Sequence, residues 1–208
     1  MIGEVSTADD SKCVPYIRDG GMDSVLNYPL YYTLKKVFSG ASFHGLASHL
    51  AAQRNTYGAK AMGMLGNFAS CHDLPRLPSV QPDAQLRKNW LLFTLAAEGN
   101  PLVYYGVEQA YHGSLTGDAS LNREPLWTSE YRTATAADGM YSFIAAVNGL
   151  RRRMPRGHFA DAVQEERYVS DDLYVFMRGQ VVAAITNGGT RAPTRTQLGT
   201  EKHDQALF

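Results

Sequence analysis

Two carboxylates, Glu4 and Asp73, stand where short apolar stretches break into polar residues. Ile2-Gly3 leads into Glu4. Residues 62–69 form a mostly apolar run of strand length and composition that ends in Ser70-Cys71-His72-Asp73. Leu74-Pro75 closes that cluster, and Pro75 disfavours helical geometry at the residue before it. A His-Asp pair at the tip of a buried strand is where an α/β barrel places its chemistry. Paired carboxylates flanking a bond are the machinery of glycoside hydrolysis. One holds a proton for the leaving oxygen, which requires a raised pKa, and the other stays ionised to stabilise positive charge at the sugar carbon. Spacing alone does not show that Glu4 and Asp73 converge. A strand-end aspartate capping the next turn, an aspartyl pair or a structural salt bridge reads the same.

The elements that must position these residues follow from periodicity. Residues 1–5 read as the end of a strand delivering Glu4, residues 6–16 as a polar loop with room for a short helix, and residues 22–27 as a short strand. Tyr28-Pro29 opens a helix whose Leu30, Leu34, Val37 and Phe38 share one face, with Gly40 at its end. Ser42 caps a second helix through Phe43, Leu46, Ala47 and Leu50. After the 62–69 strand, Pro82-Asp83 starts a helix with Leu86, Trp90, Phe93 and Ala97 on its buried side, stopped by Gly99. Residues 101–106 form the next strand, and residues 111–126 a long Gly-rich loop of the length that carries function. Asp138-Gly139 precedes a helix with Met140, Phe143, Ile144, Val147 and Leu150 on one face. Arg151, Arg152 and Arg153 at its end suit the helix dipole. Residues 173–177 and 181–186 read as a hairpin, and the chain turns polar from Arg191. Strand–helix units first and antiparallel strands last describe part of a (β/α) barrel followed by the start of a small β domain. About four barrel strands are visible, where a full barrel has eight.

Composition narrows the partners. The 208 residues carry 20 basic and 20 acidic side chains, so net charge implies neither nucleic acid nor an anionic membrane. No stretch reaches the ~18 uninterrupted apolar residues of a membrane span. Residues 1–4 lack the basic start and apolar core of a signal peptide. Cys13 and Cys71 could pair or stay free, and without CxxC or HExxH the sequence offers no metal motif. The 12 tyrosines suit a rim for polar ligands with apolar faces, sugars among them, and serve equally at core edges.

Five separated stretches, in order, resemble α-amylases of glycoside hydrolase family 13, of the fungal type. They are Ile2-Gly3-Glu4-Val5, Met22-Asp23-Ser24-Val25-Leu26-Asn27-Tyr28-Pro29, residues 68–76, residues 99–109, and Asn122-Arg123-Glu124 before Trp127. The resemblance spans residues 1–186. It implies the C-terminal part of a (β/α)8 TIM barrel, about strands five to eight, over residues 1–155, and an incomplete antiparallel β domain over 156–208. Its implied activity is retaining endohydrolysis of α-1,4-glucosidic bonds in starch or glycogen. Glu4 matches the family's general acid/base and Asp73 its transition-state-stabilising aspartate. His72 matches a residue that binds sugar hydroxyls, and Arg123 with Asp118 resembles a loop pair holding a sugar further from the cleaved bond. Arg76 follows the His-Asp pair as in relatives, either bracing that loop or touching ligand. The implied parent is a secreted monomer acting on an α-glucan, with calcium whose ligands lie outside this chain.

The departures are chemical. The family's nucleophilic aspartate belongs to a motif upstream of the Glu4 strand, and that motif is not in this sequence. Without it no covalent glycosyl intermediate forms, so the isolated chain is expected to be inactive, as a fragment of an enzyme. Cys71 stands where the family carries Asn, which weakens the expected support for His72. Adjacent strand residues diverge, so Cys71 and His72 are not expected to form a nucleophilic dyad. Cys13 resembles half of a fungal disulfide whose partner, just before Met62, is missing, and Cys13 is not expected to bond to Cys71. A non-catalytic scaffold or sugar-binding relative remains the alternative, and an unrelated α/β domain with structural Glu4 and Asp73 a third.

Overall fold

The computed structural model describes residues 1–113, 122–131 and 139–189. Asp118 and the polar stretch from Arg191 lie outside the described residues. Four short strands alternate with helices: β1 (Ile2–Gly3), α1 (Asp10–Arg18), β2 (Ser24–Val25), α2 (Tyr28–Val37), α3 (Phe43–Met62), β3 (Gly66–Phe68), α4 (Leu77–Val80), α5 (Ala84–Ala96) and β4 (Asn100–Leu102). Strand β1 pairs parallel with β2, and β3 parallel with β4. A parallel bridge between Leu26 and Gly66 joins the two pairs. Every strand therefore points the same way, and the residues just past each strand gather at one end.

Local chemistry explains the helix starts. Asn27 accepts from Leu30 N at 3.2 Å, Ser42 from His44 N at 3.1 Å, and Asp83 from both Gln85 N and Leu86 N. Asn27 also ties the sheet together, donating to Asn67 Oδ1 at 3.0 Å and accepting from Gln53 Nε2 at 2.8 Å. Helix α1 is fastened to α3 by Asp10, which accepts from His49 Nε2, Gln53 Nε2 and Tyr57 OH at 2.9, 2.7 and 2.9 Å. Burial by itself raises the Asp10 carboxyl, but these three donors overcome it and hold it below the ordinary carboxylate value.

Aromatic rings fill the space behind the strands. Tyr31 stacks on Phe68 at 5.5 Å and Phe38 on Trp90 at 5.5 Å. Each such buried ring removes apolar area worth roughly 1.5–3 kcal/mol. Beyond helices α6 (Met140–Arg153) and α7 (His158–Asp161), strands β5 (Gln164–Val169), β6 (Leu173–Arg178) and β7 (Val181–Thr186) form an antiparallel sheet. Its inner residues Tyr174 and Phe176 reach Phe43 and Phe93 at ring distances of 6.0 and 5.6 Å, so this sheet shares the main core. Buried Arg178 reinforces the join, donating to the carbonyls of Ala97, Phe159 and Ala162. Burial lowers its pKa to about 10, which leaves it charged at neutral pH.

Several sequence expectations need correction. The 62–69 run is not one strand: α3 continues to buried Met62, and β3 begins only at Gly66. A short apolar run carries no period that separates a helix end from a strand start. Residues 101–106 pair only as far as Leu102, and the chain then turns, with Val107 N donating to Tyr104 O and Tyr111 N to Gly106 O. The short helix that the 6–16 loop left room for is α1, which runs on to Arg18 and is begun by Asp9 accepting from Ser11 N at 2.9 Å. Strand β5 escapes a reading by pattern because Gln-Glu-Glu-Arg-Tyr-Val lacks clean alternation, and a bulge interrupts it between Glu166 and Tyr168.

Candidate active site

Strand β1 ends one residue before Glu4, and β3 ends shortly before the 70–73 cluster. Since the strands are parallel, both segments emerge at their C-terminal ends. Ligand atoms of Glu4, His72 and Asp73 lie within 4.8 Å of one another. His72 Nε2 sits 3.3 Å from Asp73 Oδ2, and Arg123 Nη2 donates to Asp73 Oδ1 at 3.0 Å. The structure thus brings Glu4, His72, Asp73 and Arg123 to one place, and all four are accessible to solvent.

Sequence reasoning missed Tyr28, which it read only as a helix opener. Its hydroxyl donates to Glu4 Oε1 at 2.6 Å. The ring is fully buried and meets Phe68 edge-on at 5.0 Å. Burial, then the bonds to Glu4 and Cys71, push the phenol far above its ordinary pKa, so it remains a donor throughout the working range. Cys71 Sγ lies 3.5 Å from the same hydroxyl. Its thiol therefore faces Tyr28, while His72 takes its support from Asp73. Cys13 and Cys71 are both buried free thiols.

Arg76 braces two loops. It is fully buried, its Nε donates to Glu124 Oε2 at 2.9 Å, and a second nitrogen donates to the Tyr105 carbonyl. Its guanidinium lies 4.5 and 4.7 Å from the ring centroids of Tyr104 and Tyr105. Glu124 in turn accepts from Gly113 N at 2.9 Å. Gly113 has φ 59°, and a Cβ there would stand 2.5 Å from Arg76 Cγ, so the close approach requires glycine. Arg76 joins the Asp73 loop to the Arg123 loop from below.

Among the described residues, Glu4, His72 and Asp73 are the one metal-ligand grouping found. Its two acids and one imidazole, with Asp73 already paired to Arg123, do not match the six to eight oxygen ligands calcium takes. Beside the site lies a cavity of about 420 Å³ lined by Tyr105, Arg123, Pro125, Leu126, Trp127 and Tyr131.

The family profile described as alpha amylase, catalytic domain, matches residues 1–164. This chain belongs to the alpha-amylase catalytic-domain family. It is similar to alpha-amylase 2 of Schwanniomyces occidentalis, 37% identical over 188 residues, a match covering 88% of this chain and 33% of that protein. Alpha-amylase 1 of the same organism is 33% identical, covering 91% of this chain and 36% of the relative. The solved structure of an alpha-amylase from Malbranchea cinnamomea superimposes with a TM-score of 0.81 at 32% identity, covering 92% of this chain and 39% of that one. The chain spans about a third of the length of the curated relatives it matches.

Proposed function

We propose that the chain carries the acid–base half of a retaining α-amylase that cleaves internal α-1,4-glucosidic bonds of starch or glycogen. The observation that carries this reading is the convergence of Glu4, His72 and Asp73 within 4.8 Å at the C-terminal ends of parallel strands. Tyr28 engages Oε1 of Glu4, which leaves Oε2 as the oxygen free to carry the proton passed to the glycosidic oxygen. Glu4 donates it as the bond breaks and recovers one from water in the second step. Asp73 stabilises the positive charge that develops at the sugar carbon. His72 and Arg123 hydrogen-bond sugar hydroxyls on either side of it, and the family resemblance assigns Asp118 to the same sugar as Arg123.

The same proposal assigns β1 to β4 to strands five to eight of the (β/α)8 barrel, with a domain change near residue 155. The covalent nucleophile and any calcium ligands belong to a segment outside these 208 residues. The parent is taken as an extracellular monomer acting on α-glucan. No helix among the described residues is long and apolar enough to cross a membrane.

Reducing-sugar release from soluble starch tests the proposal. The 208-residue chain alone should release none, and the same chain within a longer protein that supplies the family's nucleophile segment should release it. Turnover by the chain alone contradicts the division of labour. A longer protein that binds starch without cleaving it supports the sugar-binding alternative.

A further inference from the structure

The 420 Å³ cavity beside Asp73 has features that the catalytic reading does not use. Trp127 is 68% exposed and Tyr131 59% exposed, and both line it together with Tyr105. Large aromatic rings exposed side by side are rarely neutral features of a surface. These rings are also held in place from beneath. Trp127 lies in a 3-10 turn, Leu126–Ser129, that follows Pro125. The Tyr111 hydroxyl contacts the carbonyls of Pro125 and Leu126 at 3.3 and 3.2 Å and Ser129 Oγ at 2.6 Å. Ser129 Oγ also donates to Gln109. On the near side, Glu124 is fixed by buried Arg76, whose guanidinium also faces the Tyr105 ring. A solvent-facing tryptophan on so well anchored a turn is pre-organised for a ligand.

We propose that Tyr105, Trp127 and Tyr131 form a stacking platform for a glucosyl unit of an α-glucan chain, beyond the sugar that Arg123 touches. The inference rests on the α-glucan reading above. Arg123 lines the cavity and also pairs with Asp73, so the cavity is continuous with the cleft and a bound chain passes from one to the other. A pyranose presents a face of C–H groups that packs on an aromatic ring, with hydroxyls around its edge for donors such as the Arg123 guanidinium. A purely apolar peptide would cover the half-exposed guanidinium without offering its remaining N–H groups an acceptor, which disfavours it as occupant.

The chain's two tryptophans make the test direct. Trp90 is fully buried and Trp127 is 68% exposed, so a ligand-dependent change in tryptophan emission reports Trp127. Titration of the 208-residue protein with maltoheptaose should give a saturable change in emission, stronger than with maltose at equal concentration. Calorimetry should show binding about tenfold weaker in Trp127→Ala. Trp90 emission in that variant checks that the core is intact. Maltoheptaose binding with unchanged emission, and equal affinity in Trp127→Ala, overturns the platform while leaving the α-glucan reading standing. No binding at all overturns the platform too, and starch hydrolysis by the longer protein then decides separately whether the α-glucan reading fails. If acrylamide cannot quench Trp127 in the sugar-free longer protein, a protein segment occupies the cavity and the platform is excluded.

Discussion

The buried hydroxyl of Tyr28 donates to Oε1 of Glu4 at 2.6 Å, from the first residue of the helix that follows β2. A flexible, solvent-exposed glutamate is thereby given one fixed oxygen and one free oxygen. In the proposed mechanism Tyr28 is a positioning residue that never touches substrate. Tyr28→Phe keeps the ring packed against Phe68 and deletes only the donor. A hydrogen bond to a charged group is worth about 1.5–3 kcal/mol, so kcat on starch should fall by about 10- to 100-fold with KM nearly unchanged. Steady-state kinetics on the longer protein measures this, and an unaltered kcat removes Tyr28 from the mechanism.

Arg76 should matter for stability more than for binding. Arg76→Met strands Glu124 and the Tyr105 carbonyl and removes the cation from three tyrosine rings. Breaking a buried pair of this kind costs about 2–4 kcal/mol, allowing for the partial exposure of Glu124. Arg76→Lys should recover little, since an ammonium cannot serve the fork and the ring faces together. Urea unfolding measures both, and a loss below about 0.5 kcal/mol, the size of an ordinary surface change, contradicts the brace.

Asp10 carries an acid-sensitive contribution. Its pKa is lowered in the folded protein relative to the ordinary 3.8. A depressed carboxylate stabilises the fold above its unfolded pKa and loses that contribution as pH falls through the folded value. The native protein should therefore be more stable than Asp10→Asn at pH 6, and the gap should narrow steadily below pH 3.8. Thermal unfolding across that range reads the difference, and a gap independent of pH rules out a charge effect at Asp10.

Much of the fold is legible in the amino-acid sequence. Capping residues Ser42 and Asp83 and the faces of α2, α5 and α6 read directly, because helix periodicity and N-caps are local signals. Glu4 and Asp73 read as strand-end carboxylates, and motif order points to the barrel. What stays hidden depends on contacts distant in sequence. Tyr28 and Glu4 are 24 residues apart, and Arg76 and Glu124 are 48 apart. Arg76 reads as bracing or as ligand contact, and only burial separates the two. Short strands such as β3 blur into their flanking helices because all three residues are buried and no inside–outside alternation marks them. The polar β5 offers no alternation to find.

Leaving-group dependence tests the acid/base role of Glu4 most directly. Glu4→Gln should be prepared in the longer protein and assayed on soluble starch and on α-maltosyl fluoride. Starch cleavage needs a proton on the departing oxygen, whereas fluoride departs without one. Starch turnover should fall by about 10²–10⁴-fold while fluoride release in the first step stays within about tenfold of the parent. Equal loss on both substrates, or undiminished turnover of starch, contradicts Glu4 as the acid.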